Sequence, residues 1–147
     1  MLSASCANEE SAGPEGSMNQ TQAKEQIEAY VTDATNEFPT GVELSPMEDP
    51  IFLPCEGEPG DENHKVQASH AFWVDGAPEG KNEEIADSLH TFWEAGNWEV
   101  TRDGRPEKIL IEAKSREYQF RMKSVVSQDG DPSLSGYSPC VQADRTR

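Results

Sequence analysis

Nothing in this 147-residue chain announces a reaction. It has no G-x-S-x-G elbow, no Walker loop, no G-x-G-x-x-G turn and no H-E-x-x-H helix, so motifs alone reveal no nucleophile, phosphate cradle or zinc pair. Histidine is scarce, and none of His64, His70 and His90 stands in a context that pairs it with a nucleophile. Cysteine is as sparse: three residues, no two in a C-x-x-C spacing, fall short of the four ligands a structural zinc site wants, and no cofactor is expected. No run of 18 apolar residues occurs, so no segment of the sequence qualifies as a membrane-spanning helix. Positive charge is the largest deficit. Twelve Lys and Arg against 28 Asp and Glu leave a net charge of −16, a field that repels phosphate backbones and anionic lipid, so nucleic acid is not an expected partner.

What the chain does hold is unevenly placed. Apolar residues make up only 34%, too few for a core spread over the whole length, so part of the chain should stay outside one. Fourteen acidic residues and a single basic one, Lys24, precede Lys65, whereas the remainder carries fourteen acidic and eleven basic. Seven of the basic residues gather between Arg102 and Lys123, interspersed with Glu107, Glu112 and Glu117, as on a solvated sheet face.

The most strongly patterned stretch runs from Ile85 to Val126. Ile85, Leu89, Phe92 and Trp93 recur at helical spacing and form one apolar face. Alternation follows: Trp98 and Val100, then Ile109, Ile111 and Ala113, then Tyr118, Phe120 and Met122 fall on one side of successive strands, with Glu117, Gln119, Arg121 and Lys123 on the other. Asp103-Gly104 and Ser115-Arg116 supply the turns. Upstream, Ala23, Ile27, Tyr30, Val31, Ala34 and Phe38 predict a helix over 21–38, with Asn19 or Thr21 as its N-cap. Val66, Ala68, His70, Phe72 and Val74 alternate as a strand, and Ser133 to Tyr137 forms a last short one. Residues 42–63 are rich in proline and acid and should be an irregular connection, with at most a short strand near 51–53. The expected fold is α+β: an antiparallel sheet of about five strands with two helices, in the order α-β-α-β-β-β-β, occupying residues 21–147 behind a polar tether over 1–20.

The front of the chain reads Ser3-Ala4-Ser5-Cys6, followed by a polar segment to Ser17. This resembles the end of a bacterial lipoprotein signal and its tether, in which small residues precede a cysteine that is lipidated. Leu2 stands one place too early for the aliphatic position, and a charged and an apolar region would have to precede Met1. The resemblance implies acylation at Cys6, with membrane lipid as the partner, and a roughly 40 Å reach for about twelve extended tether residues. It also accounts for the odd cysteine count, leaving Cys55 and Cys140 as a disulfide pair. The alternative is three free thiols in a reducing cytosol.

Among candidate contact residues, Trp93 and Trp98 bracket the second helix-to-strand turn and could clamp a sugar or peptide, although that spacing also suits a core. Trp73 points away from Phe72 and Val74, toward the exposed sheet face or the first helix. His70 lies on an apolar strand face, where a histidine is more often a core residue than a catalyst. With Phe92-Trp93-Glu94-Ala95-Gly96-Asn97-Trp98 and Ser135-Gly136-Tyr137-Ser138-Pro139-Cys140-Val141, the whole resembles small cell-envelope lipoproteins of actinobacteria. That likeness implies an extracytoplasmic, membrane-anchored α+β domain with a non-enzymatic binding or accessory role toward an envelope protein or glycan, and no catalytic residue carries over. Rival readings are a small exported enzyme or wall-hydrolase accessory using His70 and carboxylates, and a cytosolic acidic interaction protein.

Overall fold

The computed structural model describes residues 18–59, 61–77 and 80–144, in which two helices lie on one side of a seven-stranded sheet whose strand pairs are antiparallel. In chain order the elements are α1 (Gln20–Thr35), β1 (Glu43–Pro46), β2 (Ile51–Glu56), β3 (Lys65–Asp75), α2 (Asn82–Ala95), β4 (Trp98–Asp103), β5 (Leu110–Ser115), β6 (Arg121–Val126) and β7 (Pro132–Gln142). The α+β class holds, but there are seven strands rather than about five, and their order is α-β-β-β-α-β-β-β-β. The two additional strands are β1 and β2. Both pair with β3, β1 at Leu44↔Val74 and β2 at Phe52↔Ala68, while β7 takes the opposite edge of β3. They therefore lie end to end as one outer rank. An outer rank has a free side, so Pro46 and Pro54 can sit in it without removing a donor that the ladder needs.

Strand β7 is central, between β3 and β6, and runs to Gln142 instead of stopping at Tyr137. A proline in a central strand ought to break the ladder. Pro139 is accommodated by a bulge: Gln67 pairs Cys140 and Ser69 pairs Tyr137, which leaves one extra residue on β7. The buried Ser138 Oγ accepts a bond from the Ala68 N–H at 2.9 Å, satisfying a donor the irregular ladder would orphan.

Helix α1 begins with a capping box: Asn19 Oδ1 accepts from the Gln22 N–H at 2.8 Å and the Gln22 side chain accepts from the Asn19 N–H at 3.0 Å. Past Thr35 the chain keeps coiling through three-residue turns to Phe38, which explains the longer helical pattern. α1 packs on β3 and β7 through Ala23, Ile27, Val31 and Ala34. It comes closest at Gly136, where a β-carbon would stand 2.6 Å from Ile27 Cγ2 and 3.2 Å from Met122 Sδ. α2 buries Ile85, Ala86, Leu89 and Trp93 against β4 and β5, with Glu83 and Glu84 at the favourable end of its dipole. Gly96 ends α2 in an extended conformation (φ −95°, ψ −157°), not a left-handed one.

Tyr30 ties the two halves of this layer together, its ring edge-on to Trp98 at 4.9 Å and to Phe120 at 5.3 Å, and burial pushes its hydroxyl pKa up. Phe120 and Tyr118 do not belong to a strand, because the chain from Ser115 to Phe120 is one wide turn closed by the Ser115 N–H on the Phe120 carbonyl, with Gln119 at φ +66°. Both helices thus cover the same face, and the opposite face carries neither.

Candidate functional site

Register determines which side chains share the uncovered face, because directly paired residues in adjacent antiparallel strands point the same way. One row across the sheet reads Ile51, Ser69, Tyr137, Arg121, Lys114 and Glu99. The next reads Ala71, Ser135, Lys123, Glu112 and Arg102, and beyond it come Ser45, Trp73, Ser133, Val125 and Leu110. The composition changes along these rows. At the β2–β3 end the face is apolar, with Ile51, Leu53 and Trp73 exposed, Leu53 to 55%. In the middle, on β7, it is small and hydroxylic. Across β6, β5 and β4 it is cationic: Arg102, Lys114, Arg121 and Lys123 accompany only Glu99 and Glu112. A cleft of about 370 Å³ crosses the strands here, from Gln67 past Tyr137, Arg121 and Lys123 to Glu112 and Thr101.

Ion pairing is thin on this face. Arg102 reaches Glu112 at 3.9 Å, and among the described residues Lys114, Arg121 and Lys123 enter no ion pair. Glu112 and Glu99 stand directly across the ladder from Lys123 and Lys114 without closing to ion-pair distance, and Arg121 has Lys114 and Tyr137 as its cross-strand neighbours. Seven of the 28 acidic residues, Glu43, Glu48, Asp49, Glu56, Glu58, Asp61 and Glu62, lie on or beside β1 and β2.

Cys55 and Cys140 are joined in a disulfide with a Cα–Cα distance of 6.2 Å. Cys140 pairs with Gln67 and shares its face, so the bridge passes β3 on the uncovered side. Cys55 is itself the inserted residue between Pro54 and Glu56, and the bulges in β2 and β7 let these two strands, separated by β3, be linked. Cys6 and the tether before Met18 lie outside the described residues.

The tryptophans divide. Trp73 is 37% exposed on the uncovered face, whereas Trp93 and Trp98, at 1% and 8%, are core residues that pack against each other at 6.3 Å and offer no surface to a ligand. Trp93 lies on the α2 stripe that faces the sheet and Trp98 on the covered face of β4, which is why they do not form a clamp. His70 is on the covered face at 7% exposure, its ring 4.3 Å from that of Phe72. Its Nδ1 is 3.7 Å from Glu28 Oε2, beyond hydrogen-bond reach, and neither ring nitrogen has a partner. Glu28 is itself bonded to Lys24 at 3.1 Å. α1 stands between His70 and any substrate.

A second titratable cluster sits at the end of β4. The Arg105 guanidinium donates to both Asp103 carboxylate oxygens, at 2.9 and 2.8 Å, and to Asp87 on α2. That hydrogen bonding holds the Asp103 carboxyl at about 2, below the usual carboxylate range, and Arg105 is correspondingly raised. His90 lies 3.7 Å from Asp103 and 3.6 Å from Glu94. The cluster fastens the β4–β5 loop to α2 and opens onto no described cleft. Among the described residues no group of three or more His, Cys, Asp or Glu is placed to hold a metal ion, and no helix is long and apolar enough to cross a membrane.

In the sequence Arg121 and Lys123 stand on the polar side of a strand, and no spacing along the chain connects them with Gln67, Tyr137 and Thr101. The available signal was the concentration of basic residues over 102–123 in an otherwise acidic chain. Compared with known proteins, the chain matches no family model and shows significant similarity to no curated protein and no solved structure.

Proposed function

We propose that this chain is an exported binding module, tethered outside the cytoplasmic membrane through lipidated Cys6, that offers the uncovered sheet face to a cell-envelope partner. The observation that carries the binding reading is the contrast between a helix-packed face and one that carries cations with no ion pair among the described residues, hydroxyls and exposed Ile51, Leu53 and Trp73. Exposed apolar side chains beside polar and charged ones are the composition of an interaction surface. The Cys55–Cys140 bridge favours an oxidising compartment, which agrees with export. A hydrolytic role for His70 has less support, since the ring is packed under α1.

The test is site-specific photocrosslinking in the producing cells. A photoreactive residue at Ser135, in the middle of the bare face, should yield discrete adducts that the same residue at Glu25, on the outer surface of α1, does not. Identical adduct patterns from both positions would refute the reading. Incorporation of a clickable fatty acid, abolished by Cys6→Ala, tests the anchor separately.

A further inference from the structure

We propose that the trough across the bare face binds a linear, carboxylate-bearing glycan, an assignment that rests on the binding reading above. The first argument is shape. The cleft is lined by residues from five adjacent strands, β3, β7, β6, β5 and β4, so it runs across the strands and not along one. Four strand spacings of about 4.8 Å make it roughly 19 Å long. That length suits an extended chain of several sugar rings and exceeds what a single small anion would fill.

The second argument is the chemistry of the lining. Arg121 and Lys123 supply charge-assisted donors for an oxyanion; among the described residues neither closes an ion pair, although Glu112 stands across the ladder from Lys123. Gln67, Thr101 and Tyr137 provide an amide, a hydroxyl and a phenol that can both give and accept bonds. Glu112, next to Lys123, only accepts when ionised, so the ligand must bring donors as well as negative charge. A polyol carrying carboxylates meets both demands, and Tyr137 adds an aromatic surface for a ring.

Two other anionic occupants fit less well. A membrane of anionic lipid would meet Glu48, Asp49 and Glu56 beside the apolar end of the face, and like charge would hold it off. An acidic peptide would bring backbone N–H and C=O groups that need partners, while the backbone under the trough is committed to the ladders of β7, β6 and β5.

The experiment uses the full chain with its disulfide intact, following amide resonances while adding tetragalacturonate, neutral maltotetraose or a tetraglutamate peptide. Tetragalacturonate should shift the amides of residues 121–123 and Thr101 saturably, more weakly as salt rises, and maltotetraose should bind at least about tenfold more weakly. Arg121→Gln with Lys123→Gln should lower the tetragalacturonate affinity by about tenfold or more while the spectrum keeps its native dispersion. Equal binding of maltotetraose, tighter binding of tetraglutamate, or no shift with tetragalacturonate would each overturn the glycan assignment. Selective crosslinking from Ser135 in the same case would show that the face binds something else, whereas its absence would remove the binding reading too.

Discussion

The two faces of this sheet are written by alternate residues of the same strands, yet they obey different rules. On the covered face His70, Gly136, Met122, Ala113 and Val100 form one row, and each is constrained by a helix lying on it. Gly136 shows how tightly: it is the only residue that lets Ile27 reach the sheet. On the bare face the neighbouring row of Ser135, Lys123, Glu112 and Arg102 meets neither of the two described helices, and packing would tolerate many other residues there. The difference teaches that unusual composition on the bare face, cations that close no ion pair among the described residues in a chain of net charge −16, needs a reason outside folding.

The sharpest exception to that division is the disulfide, a structural device on the bare face. It closes a sequence separation of 85 residues, so loop-closure entropy gives it about 4 to 5 kcal/mol. Replacing Cys55 and Cys140 together by Ala should lower the chemical-denaturation midpoint by a corresponding amount. A loss under about 1 kcal/mol would show that the bridge is incidental to the fold.

A matched pair tests the faces directly. Gly136→Ala drives a methyl into Ile27 and Met122 and should cost about 1 to 3 kcal/mol, whereas Ser135→Ala, one residue earlier and facing the other way, should stay within about 0.5 kcal/mol. Similar losses would mean that the faces are not as different as drawn. A smaller effect of opposite sign is expected from His70→Leu. It removes a buried ring whose nitrogens have no partners and should stabilise the fold by about 1 kcal/mol, measured by thermal unfolding.

The smallest effect is electrostatic. Asp103, held at about 2 by Arg105, contributes stability that is complete above the ordinary carboxylate range near pH 4 and fades as pH falls toward 2. Asp103→Asn should therefore be less stable than the parent at pH 7, and the gap should narrow on acidification. A gap that stays constant with pH would contradict the pairing.

Legibility followed the same division. α1, β3, α2 and the hairpin of β4 and β5 were readable because each buries one stripe or alternate side chain under a helix, which leaves a periodic trace. β1 and β2 were hidden because strands of an outer rank can hold Pro46 and Pro54 and expose most of their side chains. β7 was read as ending at Tyr137 because Pro139 looks like a terminator, and the Ser138 bond that offsets it joins residues 70 apart. The bare face was the least readable of all. Gln67, Tyr137, Arg121 and Thr101 become neighbours only through the register of non-consecutive strands, and no spacing along the chain records that.

The most direct measurement is a pair of readings on one variant, Arg121→Gln with Lys123→Gln: thermal midpoint and affinity for tetragalacturonate. If the bare face serves binding and not folding, the midpoint stays within about 3 °C of the parent while affinity falls about tenfold or more. A collapse in the midpoint, or unchanged affinity beside an unchanged midpoint, would contradict the account.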